Sequence, residues 1–442
     1  MFKKNKLILL LLIPFLFFVT CSEKDDGPED EIPVETPFVA EGIGPKDGLS
    51  GQTALEYVEK KGIWAGWNLG NTYDLFSMSR ADTGRYDLLF PGVKAVGFSI
   101  VRLPVSWTSG TNSSASDPYT INADFMASVV AAVDAAYDAG LVVILNTHHD
   151  NGTFNLQTAL NEESCALITA RFKAIWAQIA EQFKDYGDWL IFEPLNEPRV
   201  TVGGMTYWDN APDAKQYQIL NDWNQAFVDT VRASSSEKNK QRYLIAKAYA
   251  AKPARTLDET FVLPTDPTPG KQIVSFHYYL PEEFSLNGRG PDWNANSGQK
   301  LMADAFGNMK LKFVDKGIPV FIGECGATYQ SNRSGAEAET ANANRLKYLE
   351  TLGAQSKKYG LTPILWDNGE PLRSTTRENG SANSDPNGET FGLFKRGKAN
   401  TGGYIINGDE VPYPYTDPSK FGEPADDFAA QSIKALTDAV KR

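Results

Sequence analysis

Two glutamates in this chain each follow an apolar run, and together they could act on one bond. Glu197 lies in the stretch FEPLNEPR (192–199), and Glu324 ends the run PVFIGE (319–324). Two carboxylic acids facing one scissile bond are what glycoside hydrolysis requires, because one protonates the leaving oxygen while the other attacks or activates water. Their separation decides the outcome: about 5–5.5 Å gives retention and about 6.5–9.5 Å gives inversion.

Other unusual polar or aromatic side chains also lie in or at the ends of apolar runs. They are Arg102, His148, His149, Asn196, His277, Tyr279 and Trp366. A lone histidine is more often a satisfied core or surface residue than a functional one. The chain has three histidines and all three belong to this set, which indicates a shared site.

Arg102 is a charge inside an apolar run, where an unpaired cation is costly. Two partners are open, and both can hold at once. Arg102 could keep the attacking carboxylate ionised, or it could pair with Glu193, which lies about 13 Å deeper in the strand than Glu197 and shares its parity. The remaining acids near strand ends are interpreted as loop or subsite residues (Asp150, Asp367) and as a solvated loop (Glu282, Glu283).

A scaffold must bring these strand ends together, and the chain supplies eight apolar runs that alternate with helical patterns. The runs are 63–68, 99–105, 141–148, 189–196, 243–249, 273–279, 319–324 and 363–368. Near-continuous apolar runs are typical of parallel strands covered by helices. They predict an α/β fold, a (β/α)8 TIM barrel in a single catalytic domain at 49–442, with its site at the carboxyl ends of the strands. A doubly wound sheet is disfavoured, because GWNLGNT lacks the spacing of a phosphate-binding turn.

Helical patterns fill most gaps between the runs. They cover 53–61, 123–138, 166–183, 214–233, 299–316, 336–359 and 426–441. Gly140, Gly317 and Gly360 follow three of them, as expected of helix carboxyl termini. The long loops 280–298 and 369–387 follow strands, where a barrel builds its cleft.

Nine tryptophans suit a carbohydrate site, because sugar faces present C–H groups that stack on aromatic rings. Most tryptophans are nevertheless core residues, and Trp176 and Trp189 are predicted there. Trp366 is predicted to be functional. Trp107, Trp208 and Trp293 also fall at strand ends or in loops on the predicted rim, and for these three a functional role and a structural one both stay open.

Composition excludes several classes of partner. The formal charge is −12, and an acidic chain without a basic stripe is a poor candidate for binding nucleic acid or an anionic membrane surface. Neither CxxC nor HExxH occurs, so no metal site is predicted. Cys165 and Cys325 show no spacing that favours a disulfide.

The amino terminus is interpreted as a targeting segment. Lys3, Lys4 and Lys6 precede an apolar stretch that ends at Cys21, a pattern that resembles a lipoprotein signal peptide (1–20) with lipidation of Cys21. The acidic, proline-rich residues 21–48 are predicted to be a flexible tether. This pattern favours a lipoprotein anchored in the outer membrane at the cell surface. An ordinary signal, giving a periplasmic or secreted protein, is the alternative.

Seven motifs follow one another along the predicted strands: GWNLGNT, VRLPVSW, LNTHHD, LNEP, FHYY, IGECG and LWDNG. In this order they resemble glycoside hydrolase family 5, the cellulase-type retaining β-glycanases, across the whole predicted barrel. The resemblance implies that Glu197 is the acid/base, that Glu324 is the nucleophile, and that no metal or organic cofactor takes part. It also implies that Asn196 contacts a sugar 2-hydroxyl and that Arg102 and Tyr279 flank the nucleophile.

Further residues match positions of this family. His148, His277 and Trp366 match shared active-site positions, and His149 and Asn68 match positions at which endoglucanase-like members bind sugar. The resemblance also implies a cis peptide bond after Trp366.

The implied activity is retaining endo-β-1,4-glucanase action on plant β-glucans, namely cellulose, mixed-linkage glucan or xyloglucan, by double displacement. Mannan or xylan cleavage on the same fold is an alternative, and a non-catalytic glycan-binding lipoprotein is an alternative from another class. A monomer is the default expectation.

Overall fold

The structure is a computed structural model that describes residues 38–74, 85–286, 288, 292–293, 295–330, 333–369, 391–396, 404–406, 409–411 and 417–442. Val39–Arg442 forms one compact unit, separate from Met1–Phe38. The predicted signal peptide, Cys21, the tether up to residue 37 and most of the loop 369–387 lie outside the described residues. Within the described residues, none of the helices has the length and apolar character that a membrane span needs.

Eight parallel strands close into a barrel in which neighbours in the chain are also neighbours in the sheet. The strands are β1 (Gly66–Asn68), β2 (Ile100–Leu103), β3 (Val142–Asn146), β4 (Leu190–Glu193), β5 (Leu244–Lys247), β6 (Gln272–Tyr278), β7 (Val320–Cys325) and β8 (Leu361–Leu365). All eight coincide with the predicted apolar runs. The predicted (β/α)8 barrel is therefore confirmed.

Helices surround this barrel. They are α1 (Ala54–Lys60), α2 (Tyr86–Ala95), α3 (Ala123–Asp138), α4 (Glu162–Gln182), α5 (Lys215–Arg232), α6 (Glu237–Gln241), α7 (Pro253–Leu257), α8 (Glu282–Ser285), α9 (Ala295–Lys312), α10 (Gly335–Tyr359) and α11 (Asp427–Val440). Two antiparallel hairpins, Val200–Val202 with Met205–Tyr207 and Tyr404–Ile406 with Asp409–Val411, add to them. The sequence patterns predicted neither α2 nor the hairpins.

The helix ends follow local chemistry. The Asn122 side chain accepts hydrogen bonds from the amides of Asp124 and Phe125 and so caps the start of α3. Gly360 ends α10 with φ 76°, and Gly317 follows the last turn after α9 with φ 84°. These left-handed conformations favour glycine, as predicted for both positions.

Side chains inside the barrel form stacked layers. The apolar layer near the strand starts includes Ile100, Ile144, Ile191, Ile245, Ile273, Phe321 and Ile364. Two residues further along the strands, on the same face, lies what we call the polar layer: Asn68, Arg102, Asn146, Glu193, Lys247 and Ser275, all buried. The predicted catalytic residues lie above the polar layer, at the carboxyl ends of the strands.

The segment before α1 covers the opposite end of the barrel. The Trp189 indole donates to the Lys46 carbonyl at 2.7 Å, and Ser50 Oγ donates to Asp188 Oδ2 at 2.6 Å. Asp188 and Trp189 directly precede β4, so these contacts lie at the amino-terminal ends of the strands. The last residues of the predicted tether 21–48 are therefore packed against the barrel.

Candidate active site

Glu324 reaches the barrel interior because β7 carries a bulge. His277 pairs with Glu324, whereas the preceding residue of β6, Phe276, pairs with Ile322, so Gly323 is an extra residue in β7. Side chains alternate between the two faces of a strand, and without this extra residue Glu324 would share the outward face of Ile322. A bulge re-aims a side chain in this way.

Glu197 lies beyond the end of β4 and faces Glu324 across His277. His277 Nδ1 lies 2.8 Å from Glu197 Oε1 and 3.5 Å from Glu324 Oε2. One carboxylate oxygen of each glutamate and one nitrogen of His277 all lie within 4.8 Å of one another. This separation is shorter than the gap of about 6.5–9.5 Å that an inverting enzyme needs for its water.

Arg102 joins the two layers of the site. Its guanidinium donates to Glu193 Oε2 at 2.6 Å, to Glu324 Oε1 at 2.9 Å and to Asn196 Oδ1 at 2.7 Å. Burial alone would lower the pKa of Arg102, but Glu193 and Glu324 outweigh burial and raise it. Arg102 therefore has both of the partners that the sequence left open.

Glu193 is a buried structural anion. Burial raises its pKa, but Arg102 and Lys247 outweigh that effect and lower it to about 2. Its oxygens lie 2.6 Å from Arg102 Nε and 2.9 Å from Lys247 Nζ. Removing one partner of a buried ion pair leaves an uncompensated charge and destabilises the fold. Glu193 therefore supports the site from the polar layer by pairing with Arg102 and Lys247.

Tyr279 donates from its hydroxyl to Glu324 Oε2 at 3.3 Å. Because Arg102 holds the other oxygen of Glu324, the carboxylate is fixed from two sides. This places one Glu324 oxygen toward the cleft in a set orientation, as a nucleophile needs.

Arg199 is a site residue that sequence reasoning missed. Its Nη1 donates to Glu197 Oε2 at 3.2 Å, and its guanidinium carbon lies 4.0 Å above the centre of the Trp208 ring. Arg199 follows Glu197 by two residues in NEPR, so its proximity was a usable signal. Trp208 is 39% exposed on the rim, beside the Val200–Tyr207 hairpin.

His148, His149 and Trp366 form one wall of the site. The rings of His148 and Trp366 are parallel to within 4°, with their centres 5.8 Å apart. Burial, His149 and Arg102 hold the pKa of His148 well below its usual range, so His148 acts as a neutral group 3.9 Å from Glu324 Oε1. A Cβ at Gly70 would meet the Trp366 ring at 2.6 Å, which explains a glycine in GWNLG.

Asn68 corrects one expectation. It is fully buried in the polar layer, its Nδ2 donates to the Gly323 carbonyl at 2.9 Å, and its Oδ1 accepts from Arg102 at 3.0 Å. Because both polar ends are engaged inside the barrel, Asn68 supports Arg102 and β7 and does not reach a sugar.

Asp150 and Asp367, interpreted as loop or subsite residues, are buried supports. Asp150 accepts from the amides of Trp107 and Thr108 at 3.1 and 2.8 Å, and burial raises its pKa to about 6. Asp367 accepts from the Trp67 indole at 2.9 Å. Both aspartates therefore organise loops behind the cleft.

Two tryptophans predicted on the rim, Trp107 and Trp293, are core residues, so that prediction is wrong for both. Trp107 is fully buried and donates to the Asn146 carbonyl at 2.7 Å, and Trp293 is 4% exposed.

The cis peptide bonds of the described residues are Asp117–Pro118 and Leu280–Pro281. The bond after Trp366 is not among them, so the cis bond expected there is wrong.

These residues line a cleft of about 530 Å³. Its walls include His148, His149, Asn196, Glu197, Arg199, Trp208, His277, Tyr279, Glu324 and Trp366. Carboxylates, ring nitrogens and amide groups converge on an opening flanked by two indole rings. A polymer with alternating hydroxyl and C–H surfaces matches this lining.

Two clusters of described residues have the spacing of metal ligands: Glu197 with His277 and Glu324, and Asp74 with His148 and His149. In the first, the carboxylates already accept hydrogen bonds from His277, Arg102 and Tyr279. In the second, Asp74 accepts from the amides of Asn71 and Thr72 at 3.1 and 2.7 Å. The carboxylates of both clusters therefore already have protein hydrogen-bond donors.

Comparison with known proteins agrees with this geometry. Endoglucanase 1 of Ruminococcus albus is 32% identical over 385 residues, which cover 85% of this chain and 83% of that protein. A GH5-4 broad-specificity endoglucanase from Bacteroides salanitronis matches with a TM-score of 0.68 at 28% identity, over 91% of this chain and 99% of that one. A Bacteroides ovatus GH5 xyloglucanase bound to an XXXG heptasaccharide matches with a TM-score of 0.71 at 26% identity, over 92% and 81%.

A family model also matches this chain. The model for cellulase (glycosyl hydrolase family 5) matches residues 56–371, which include all eight strands of the barrel and both Glu197 and Glu324. The protein is a glycoside hydrolase with a (β/α)8 barrel, and it belongs to the cellulase family, glycosyl hydrolase family 5.

Proposed function

We propose that this protein is a retaining endo-β-1,4-glucanase of plant β-glucans. One observation carries the proposal: oxygens of Glu197 and Glu324 lie within 4.8 Å of each other at the floor of an open cleft. The two acids have different partners. Glu324 is held by Arg102 and Tyr279, and Glu197 by His277 and Arg199, which suits a nucleophile and an acid/base.

The proposed reaction has two displacements. Glu324 attacks the anomeric carbon while Glu197 gives its proton to the leaving oxygen, so the glycosidic bond breaks as a glycosyl ester forms on Glu324. Glu197, now ionised, takes a proton from water, which attacks the same carbon and releases Glu324. Asn196, held at 2.7 Å by Arg102, is placed to bind the sugar 2-hydroxyl.

The substrate class follows from the shape and lining of the cleft. Its open form suits attack within a long chain, and Trp366 and Trp208 are among the residues that line it. A β-1,4-glucan has flat, equatorially substituted sugars that stack on such rings. The names of the matched relatives, which include endoglucanases and a xyloglucanase, support the same class.

A substrate panel tests this proposal. We expect the purified enzyme to hydrolyse carboxymethylcellulose, barley β-glucan and xyloglucan faster than mannan or xylan, and the viscosity of the solution to fall before many reducing ends appear, because cuts within chains shorten them most. The Glu324→Gln variant, assayed in parallel, controls for contaminating hydrolases. Faster cleavage of mannan or xylan would show that the enzyme is a mannanase or a xylanase. If the enzyme hydrolyses none of the glucans, the proposal is contradicted.

We also propose that lipid on Cys21 anchors the enzyme at the outer face of the outer membrane, with the catalytic unit as a monomer. The basic and apolar residues before Cys21 and the acidic residues after it support the anchor. In the native host, Cys21→Ala should move the enzyme from the membrane fraction to a soluble one, with unchanged activity. Membrane association that survives the change would contradict the proposal, and Cys165→Ala serves as the matched control.

A further inference from the structure

Lys247 is a buried cation that the mechanism above does not use. It ends β5 within the polar layer and is fully buried. Asn224 of α5 holds the backbone of Lys247 with two hydrogen bonds of 3.0 Å. The Lys247 amide donates to Asn224 Oδ1, and Asn224 Nδ2 donates to the Lys247 carbonyl. The side chain is therefore aimed from a fixed strand end.

The ammonium of Lys247 has three neighbours. Its Nζ lies 2.9 Å from Glu193 Oε1, 3.2 Å from Ser275 Oγ and 3.1 Å from His277 Nε2. An ammonium has three N–H donors and no acceptor, so it donates to Ser275 Oγ and His277 Nε2, while Glu193 Oε1 forms an ion pair with it. Glu193 balances the charge, while the contact with His277 reaches the catalytic layer.

This contact determines where His277 carries its proton. A neutral imidazole has one N–H and one acceptor nitrogen. Nε2 accepts from Lys247, so the proton lies on Nδ1, and Nδ1 donates to Glu197 Oε1 at 2.8 Å. The opposite tautomer would set two donors against each other at Nε2.

We infer that Lys247 is a positioning residue for the acid/base: it fixes His277 with its proton on Nδ1 and thereby leaves the acid proton of Glu197 on Oε2. Oε1 accepts the shorter hydrogen bond, 2.8 Å from His277 against 3.2 Å from Arg199 to Oε2, so the proton is carried by Oε2 and stays available to the leaving group. The inference rests on the proposed acid/base role of Glu197.

Lys247 also prevents His277 from taking that proton. A second cation beside Lys247 is disfavoured, so His277 does not become an imidazolium paired with ionised Glu197. The charged or titratable groups around His277 are Lys247 on β5, Glu193 on β4, Glu197 after β4, Arg102 on β2, Glu324 on β7 and His148 after β3. Burial lowers the pKa of His277 most, Glu324 opposes it, and Lys247 and Arg102 lower it further. Together they hold the pKa of His277 well below its usual range.

Gly323 keeps room for this contact. A Cβ at Gly323 would lie 2.5 Å from Ser275 Oγ and 3.4 Å from His277 Nε2. The bulge residue that turns Glu324 inward therefore also leaves space for the group that Lys247 binds.

Nitrogen NMR tests the inference directly. The sequence has three histidines, so a sample with ¹⁵N-labelled imidazoles and no histidine tag gives three ring systems, which single substitutions of His148 and His149 assign. We expect His277 to be neutral with Nδ1 protonated wherever the protein is folded. A His277 that carries its proton on Nε2 overturns the inference, whether or not the enzyme cleaves glucan.

Lys247→Met should change both the spectrum and the kinetics. We expect the proton of His277 to shift toward Nε2 and its pKa to rise by about 1 unit or more. The value of kcat on β-glucan should fall about 10–100-fold, since a misplaced catalytic group costs rate, with KM little changed. For cellobiosides with dinitrophenolate leaving groups, which need no protonation, kcat/KM reports the glycosylation step and should fall much less.

The controls separate positioning from charge balance. Ser275→Ala removes another neighbour of Lys247 and should leave the tautomer of His277 unchanged. If Lys247→Met does not fold, the double variant with Glu193→Gln restores the balance of buried charge and gives the same readouts. An unchanged tautomer and an equal rate loss on both substrates would show that Lys247 only balances Glu193.

Discussion

Glu324→Gln is expected to lose at least about 10⁴-fold in kcat on soluble β-glucan, on the scale seen when a covalent nucleophile is removed. The amide has the shape of the carboxylate but cannot form the glycosyl ester. Arg102 keeps Glu193 at 2.6 Å and Asn196 at 2.7 Å, so the variant should fold. Initial rates on barley β-glucan, with far-ultraviolet circular dichroism as a check of the fold, measure the effect.

A substitution of Glu324 by a smaller residue tests whether Glu324 acts as the nucleophile or only through its charge. Glu324→Ala leaves space below the anomeric carbon, and added azide should react there with an activated β-cellobioside to give an α-glycosyl azide. Glu283→Gln is the matched control, because it removes an exposed acid after β6 and should keep full activity. A Glu324→Gln enzyme that retains even a tenth of the wild-type rate would exclude Glu324 as the nucleophile.

Glu197→Ala is expected to lower kcat/KM on polysaccharide by about 10²–10⁴-fold, the usual contribution of a general acid or base. The loss should depend on the leaving group. A dinitrophenyl cellobioside leaves without a proton, so its glycosylation step should be nearly normal while hydrolysis of the intermediate, which needs the base, becomes slow. A burst of dinitrophenolate followed by a slow steady state is the expected time course.

Azide also tests Glu197, with the opposite stereochemistry. In Glu197→Ala it should attack the glycosyl ester on Glu324 and give a β-glycosyl azide, because it needs no base. If the variant loses the same factor on both substrates and azide has no effect, Glu197 is not the acid/base. The two azide products together therefore assign each glutamate independently.

The barrel and the catalytic pair were predictable because their signals are local. Each strand is a short apolar run, and each functional residue stands at the end of such a run. The polar layer also has a local signal: Arg102, Asn146, Glu193, Lys247 and Ser275 each follow an interior isoleucine by two residues. Only Arg102 and Glu193 were recognised as its members, since a single lysine or serine in a strand is unremarkable without its neighbours.

Other features depend on packing that a sequence does not display. Strict alternation along β7 would place Glu324 outward, and only the pairing with β6 reveals the bulge at Gly323. Trp107 follows a strand as a rim residue would, yet its loop folds back and buries it. Asn68 matches a sugar-binding position, but Arg102 and the Gly323 carbonyl engage both of its polar ends.

Missed elements have specific reasons. Helix α2 contains Pro91, and Arg85 at its N-cap position makes no capping hydrogen bond with its side chain. Neither its interior nor its start therefore has the sequence pattern of a helix. The hairpin after β4 did have a signal, since Gly203 and Gly204 with φ of 58° and 79° sit between alternating residues. That hairpin is adjacent to Trp208, and its prediction would have directed attention to Arg199.

The segment before α1 covers the amino-terminal end of the barrel, opposite the end where the cleft opens. The chain enters the folded unit beside the starts of the strands, through Lys46 and Ser50, while the cleft opens at their carboxyl ends. This segment therefore leaves the cleft end of the barrel open, where a long polysaccharide can be drawn across it and cut.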